Sequence, residues 1–319
     1  MSVADRISLL RRIALSSLLA AATCAPLAAK PLQVEQVAPG VYVHIGQHKD
    51  FDEGYDGDIA NTGFIIGTEA VAVIDTGGSY AVGIGLIEAL RRITQLPVRY
   101  VINTHGHPDH VFGNAAFVQS DAAGAGQPQL IGHARLPQAL ALRREPYLRN
   151  LAKQLGEGAE KSMLIAPRHT VQDHLTLDLG HRKLELTAWP NAHTNNDLTV
   201  FDATTGTLFT GDLLFIARTP SVDGDINGWF AVTRQLKKLP AAVVVPGHGL
   251  VTRDKNPALD RQADYLTTLL RDVRASIRRG DDMTATMTTA AASERTRWQL
   301  FDVVNRRNVN VLFPLLEWE

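Results

Sequence analysis

The stretch 105-HGHPDH-110 packs four side chains able to bind a metal, His105, His107, Asp109 and His110, into six residues. A strand would put His107 and His110 on opposite faces, and a helix would scatter all four around its circumference. A loop that follows a strand can converge them. Residues 98–103 (VRYVIN) are β-branched and apolar enough to be that strand. Neutral imidazole together with carboxylate suits Zn²⁺, Fe or Mn²⁺. The competing reading, a polar turn with chance histidines, has to accommodate four ligand types in six positions.

Three further candidates lie outward from this hexapeptide. His193 sits in 189-WPNAHTNND-197 beyond the strand-like 182–188, Asp212 in the TGD that closes 208–210, and His248 in 244-VVPGHG-249 after the β-branched 243–245. Each is placed where a strand-like run gives way to a glycine- or asparagine-rich loop, which lets residues distant in sequence meet at one edge of a sandwich. Any one of these histidines alone would more often be a core or surface residue. Their order and context beside HGHPDH reverse that.

From about residue 41 to 248 the chain resembles the metallo-β-lactamase superfamily. The matching elements are an early Asp in 71-VAVIDTGGS-79 (Asp75), HxHxDH, a lone His (His193), a lone Asp (Asp212) and PGHG (His248). The resemblance implies an α/β fold, an αββα sandwich of two mixed β-sheets flanked by helices. It further implies that His105, His107 and His193 hold a first metal, that Asp109, His110 and His248 hold a second, and that Asp212 bridges the two. Two Zn²⁺ per chain are expected, with Fe or Mn as substitutes. Dedicated β-lactamases of the superfamily usually carry Cys or Ser at the bridging position, so Asp212 argues for the glyoxalase II-like and lactonase-like hydrolases. Closer still, 211-GDLLFIARTPSVDGDINGW-229 and the tail 298–319 are similar to quinoprotein relay system zinc metallohydrolases (SoxH-like proteins), which implies a pyrroloquinoline quinone dehydrogenase system as partner. Asp75 reads as a buried carboxylate bracing the metal loop.

Composition bounds the rest. With 319 residues, 45% of them hydrophobic, the chain can bury a large core, and the ligand pattern spans most of it, so 30–319 reads as one domain with a helical C-terminal tail. The formal net charge is −1 and no basic stripe stands out, which disfavours a nucleic-acid substrate and leaves a small molecule. Arg6, Arg11 and Arg12 precede an apolar run at 13–22 and small residues to Ala29, the pattern of a cleaved signal (1–29) and a periplasmic location. The run is too short to be read as a membrane span. The sole cysteine, Cys24, lies in this segment and is a poor lipidation site, because Thr23 precedes it where a smaller residue is usual.

Helices are expected at 80–94, 111–118, 134–155, 228–238, 257–279 and 294–305, with a Gly/Ala loop at 120–127. The acidic loop carrying Asp50, Asp52, Glu53, Asp56 and Asp58, and the pair Asp223 and Asp225, read as solvated hairpin loops, since neither has a full calcium-loop spacing. Arg143, Arg144 and Arg149 read as a wet helix face. His133, His169, His174 and His181 lack companions. The expected activity is hydrolysis of an ester, thioester, lactone or amide by a hydroxide shared between the metals, with Asp109 orienting it. Tyr55, Asn195 and Asn196 are the nearby polar groups, with no general acid assignable. The rival readings are an iron-dependent oxidoreductase of the persulfide dioxygenase kind and a non-catalytic periplasmic accessory of a quinoprotein.

Overall fold

The computed structural model describes residues 31–52, 54–119 and 126–319. The expected export signal and Cys24 lie outside them, as do Glu53 and most of the Gly/Ala loop. Two sheets carry the fold. Strands β1 (Glu35–Ala38), β2 (Val41–His44), β3 (Thr62–Ile66), β4 (Val71–Ile74), β5 (Val98–Ile102), β6 (Gln129–His133) and β7 (His169–Val171) form a seven-stranded sheet in that order. Pairing is antiparallel as far as β4 and parallel from β4 to β7. The second sheet runs β12-β11-β10-β9-β8, built from β8 (His174–Asp178), β9 (Lys183–Ala188), β10 (Leu198–Asp202), β11 (Thr207–Phe215) and β12 (Val243–His248). Its β11–β12 pair is parallel and the others antiparallel, so both sheets are mixed.

Side-chain alternation assigns each strand residue to a layer. In β4, Ala72 and Ile74 face the space between the sheets, where they meet Leu186, Val200 and Phe209 of the second sheet. Val71 and Val73 face outward onto Leu86, Ile87 and Leu90 of helix α1 (Tyr80–Arg91). On the other side Leu208 and Val244 meet Trp229 and Val232 of α5 (Ile226–Leu236) and Leu266 and Leu269 of α6 (Lys255–Arg279). Helix, sheet, sheet and helix thus form the four layers expected. Both faces of β4, β11 and β12 are covered, so these strands are buried along their whole length, and β4 reads as a continuous apolar run. Two short helices follow β5, α2 (Pro108–Val111) and α3 (Asn114–Gln119). Helix α4 (Leu136–Leu155) packs on Val111 and Phe112 through Leu140 and Leu151. No helix among the described residues is long and apolar enough to cross a membrane.

Three expectations need correction. The hexapeptide is not wholly loop: Pro108 opens a single helical turn, and Asp109 and His110 lie in it. One turn is too short to scatter side chains, and proline's fixed φ suits a helix's first position. Asp212 does not follow a strand but lies within β11, where Gly211 (φ +51°) breaks the register against β12 and redirects the chain. The tail is not one helix over 294–305: a 3₁₀ segment, Ala292–Arg297, follows α7 (Met283–Thr289), and an extended link leads to a single helix, α8 (Phe301–Leu316).

Candidate metal centre

Seven side chains meet around Asp212 within β11, brought there by the segments after β5 and β9 and by the end of β12. Ligand atoms of His105, His107, His193 and Asp212 all lie within 4.8 Å of one another, and so do those of Asp109, His110 and His248. Asp212 spans both groups. Its Oδ2 is 3.6 Å from His105 Nε2 and 3.4 Å from His193 Nε2, while its Oδ1 is 3.2 Å from His110 Nε2 and 3.4 Å from His248 Nε2. Asp109 Oδ2 faces His248 Nε2 at 3.3 Å. His193 Nε2 and His107 Nδ1 face each other at 3.1 Å. All are buried except His107, which is half-buried.

Each histidine uses its other ring nitrogen to donate to an acceptor, which orients the ring and fixes the tautomer. His110 Nδ1 meets Asp75 Oδ2 at 2.8 Å, His193 Nδ1 meets the Ser221 carbonyl at 2.8 Å, and His248 Nδ1 meets the Ile59 carbonyl at 2.7 Å. His105 Nδ1 meets the Thr104 hydroxyl at 3.1 Å, and that hydroxyl donates to Asp75 Oδ2 at 2.7 Å. Asp75 therefore braces one histidine of each group from a left-handed backbone position (φ +52°), as the sequence suggested. His107 alone reaches outward, placing Nε2 3.1 Å from Asp223 Oδ2. Asn61 fastens the PGHG loop to the first half of the chain by donating to the carbonyls of Pro246 and Gly249.

The donor set fits a pair of divalent cations. His105 Nε2, His110 Nε2 and Asp212 Oδ1 are buried and have no hydrogen-bond partner. An unpaired buried polar atom costs about 1–3 kcal/mol, so three in one spot call for a ligand. A Cβ on Gly247 would sit 1.9 Å from Asp212 Oδ1, so the backbone closes to glycine's limit around that carboxylate. Five imidazoles and two carboxylates are zinc-type donors. The electrostatics agree. Burial pushes His193 down to about 4, keeping it a neutral donor. Burial also opposes charge on His110, but Asp212, Asp75 and Asp109 outweigh it and raise that group well above the ordinary value. A dication would take over this neutralising role and leave the imidazole neutral. Asp212 is held well below the usual carboxylate range: burial works against it, and His248, His110 and His105 prevail.

The centre opens on a cleft of about 530 Å³, with His107, Asp109, Asp212 and His248 on its floor. Helix α4 forms one wall through Arg143, Tyr147 and Leu151, and Phe51, Val304 and Arg307 contribute from the opposite ends of the chain. Several groups set aside in the sequence are engaged here. Asp223 is no solvated loop acid, since it accepts from Arg143 at 2.5 Å as well as facing His107. Arg143 is thus taken out of the wet face assigned to it, while Arg149 remains exposed. Asp225 caps α5. In the acidic loop Asp50 receives two hydrogen bonds from Arg307, and Asp58 pairs with His44 at 2.6 Å. His133 is buried on the Trp189 carbonyl, and His169, His174 and His181 are exposed. Tyr55, Asn195 and Asn196 are not among the residues lining the cleft. Ser221, Thr104, Asn61 and Arg218 escaped the sequence reading because nothing in their local context marks them.

A family model described as the metallo-beta-lactamase superfamily matches residues 55–248. A hydroxyacylglutathione hydrolase of Polaromonas sp. is 28% identical over 180 residues, covering 55% of this chain and 58% of that protein. A linear primary-alkylsulfatase of Pseudomonas sp. is 24% identical over 212 residues, covering 57% of this chain and 40% of that protein. Among solved structures, a stereoselective inverting sec-alkylsulfatase from Pseudomonas sp. superposes with a TM-score of 0.66 at 15% identity, over 89% of this chain and 50% of that one. That likeness speaks for the fold alone. The chain spans about half the length of these relatives.

Proposed function

The chain belongs to the metallo-β-lactamase superfamily, and from that premise we propose that it is a dinuclear metal-dependent hydrolase of a small-molecule ester, thioester, lactone or amide. One observation carries the reading. The two carboxylate oxygens of Asp212 face different histidine groups, Oδ2 towards His105 and His193, Oδ1 towards His110 and His248. A mononuclear site has no use for that division. His105, His107 and His193 would hold one cation, Asp109, His110 and His248 the other, with Asp212 shared.

When bound, two divalent cations supply Lewis acidity and make water nucleophilic at neutral pH. The chain's own residues provide the rest. Asp109 is ionised because His110 and His248 outweigh its burial, and it lies on the cleft floor, where its free oxygen can accept a proton from attacking water. The paired acceptors behind the histidines lock the rings, so the donors are positioned before substrate arrives. Phe112, Leu151 and Phe215 exclude water from the inner cleft.

The test is metal content of purified protein together with an ester, thioester, lactone and lactam panel. Two zincs per chain and turnover of one class are expected. One iron per chain without hydrolysis would replace this reading with the oxidoreductase one. Export to the periplasm is a further part of the proposal, supported by the arginine-flanked apolar segment 6–22; a full-length protein in the cytoplasm would defeat it. Association with a quinoprotein dehydrogenase rests on the likeness of 211–229 and the tail to relay-system hydrolases, and a pull-down with such a dehydrogenase tests it.

A further inference from the structure

Arg218 is buried at 5% exposure, yet it lines the cleft beside Asp212 and His248. Among the described residues its guanidinium has one hydrogen-bond partner, the Lys49 carbonyl at 2.6 Å, and no carboxylate within salt-bridge distance. The neighbouring cations are committed elsewhere: Arg143 to Asp223, and Arg307 to Asp50 through two hydrogen bonds. A guanidinium carries five N–H donors, and no Arg218 nitrogen is among the buried atoms left without a partner, so the donors not engaged by Lys49 face the cleft, where an anion can reach them.

The backbone around Arg218 is built to hold it there. Ala217 adopts a left-handed φ of +64°, which for a residue with a Cβ is a strained conformation. Gln299 clamps the turn, donating from its N–H to the Ala217 carbonyl at 2.7 Å and accepting from Thr219 N–H at 3.0 Å. Asn308 of α8 holds the Pro220 carbonyl and the Val222 N–H. Lys49, Gln299 and Asn308 all lie outside the family-matched 55–248, so this support is an addition around the shared core.

We propose that Arg218 anchors an oxyanion group on the substrate, so that the site takes an organic anion carrying a carboxylate or sulfate besides the bond that is cleaved. This rests on the hydrolase reading. Two dications against the carboxylates of Asp109 and Asp212 leave the floor positive, and Arg218 extends that field along the cleft. The apolar body of such a substrate would lie along Phe51, Phe112 and Val304.

The test uses zinc-loaded full chain and two esters with one leaving group, 4-nitrophenyl acetate and mono-4-nitrophenyl succinate. The expected kcat/KM ratio favours the succinate by about tenfold or more, through KM, as hydrogen bonds to charged groups allow. Arg218→Met should collapse that ratio towards one, and Arg218→Lys should keep part of it. Calorimetric titration with succinate and with inorganic sulfate gives a second readout. Binding of succinate alone identifies a carboxylate subsite, and binding of sulfate alone a sulfate one. Binding should weaken about tenfold or more in Arg218→Met. Where circular dichroism shows that variant unfolded, the wild-type ratio and titrations decide. A wild type that shows no preference, or binds neither anion, overturns the proposal. If neither ester is cleaved while succinate still binds, the hydrolase reading fails and the anion subsite stands.

Discussion

Asp223→Asn tests whether the cleft wall and the metal centre are one mechanical unit. His107 is the half-buried ligand candidate, and its Nε2 is held by the Asp223 carboxylate at 3.1 Å while Nδ1 faces His193. Asparagine keeps the shape but removes the charge, so the ring loses a strong acceptor and part of its basicity towards a cation. Loss of such a partner typically weakens metal binding about 10–100-fold. The Asp223 side chain is 28% exposed, so water can replace some of what is lost. The lower end applies, about tenfold or ~1.4 kcal/mol. Zinc competition against a chromophoric chelator should show the first cation weakened by that factor, with an unchanged circular dichroism spectrum. Arg143→Met leaves the His107–Asp223 contact in place and removes only the group that steadies Asp223, so a change of roughly two- to threefold is expected. Unchanged zinc affinity in a folded Asp223→Asn protein would refute the reasoning and remove His107 from the first metal's ligands.

Gly247→Ala should lower metal content and cost about 1–3 kcal/mol in urea denaturation, because its Cβ would meet Asp212 Oδ1 at 1.9 Å and the Gly211 carbonyl carbon at 2.7 Å. Asp212→Asn should bring metal per chain from about two towards one, since an anionic bridge offsets the repulsion of two dications; elemental analysis beside circular dichroism decides. Arg182→Met strands the buried Asp202 carboxylate, which Arg182 engages at 2.6 and 3.2 Å, and should cost about 3–5 kcal/mol at pH 7. Burial raises Asp202's pKa, but the Arg182 hydrogen bonds prevail and hold it below the ordinary carboxylate value, so that cost should shrink as pH falls through the folded value. Burial pushes Asp197 up to about 7 from 3.8, so the folded metal-free chain keeps a proton that the unfolded chain releases. Its contribution is largest below 3.8 and is lost as pH rises to about 7, and Asp197→Asn should flatten thermal melts over that window.

The candidate ligands were legible because their residue types are chemically rare in combination and because strands announce the loops after them. Residues 98–102, 183–188 and 243–248 are strands where the strand-like runs suggested, and each feeds a segment carrying candidate ligands or ends on one. The four-layer order was what the family resemblance implied, and the burial of β4, β11 and β12 on both faces agrees with it. What could not be read were groups whose role depends on tertiary partners. Asp223 and Arg143 are 80 residues apart and their sequence neighbourhoods are ordinary. The turn at Pro108 was misjudged because one helical turn and a tight loop leave the same local signal. The continuation of β11 through Asp212 was hidden by Gly211, which reads as a stop but acts as a register shift.

This division bears on how substrate choice is built. The seven candidate metal ligands lie within 55–248, the segment matched by the superfamily model. The cleft walls draw on Phe51, Val304 and Arg307, outside that segment, and on α4, which packs over the metal loop. Arg307 reaches back 257 residues to Asp50, tying the tail helix to the acidic loop near the N-terminal strands. Because that pair is half-exposed, its worth in stability is modest; its effect is to fix the tail against the cleft mouth. For the hydrolytic centre proposed above, selectivity would come from what the walls admit and orient. In this chain the walls are joined to the centre at two points, through Asp223 to His107 and through the Ser221 carbonyl of the 217–222 turn to His193. Substitutions in α4 or α8 should therefore change substrate preference and metal affinity together, whereas in a fold with independent walls the two would vary separately.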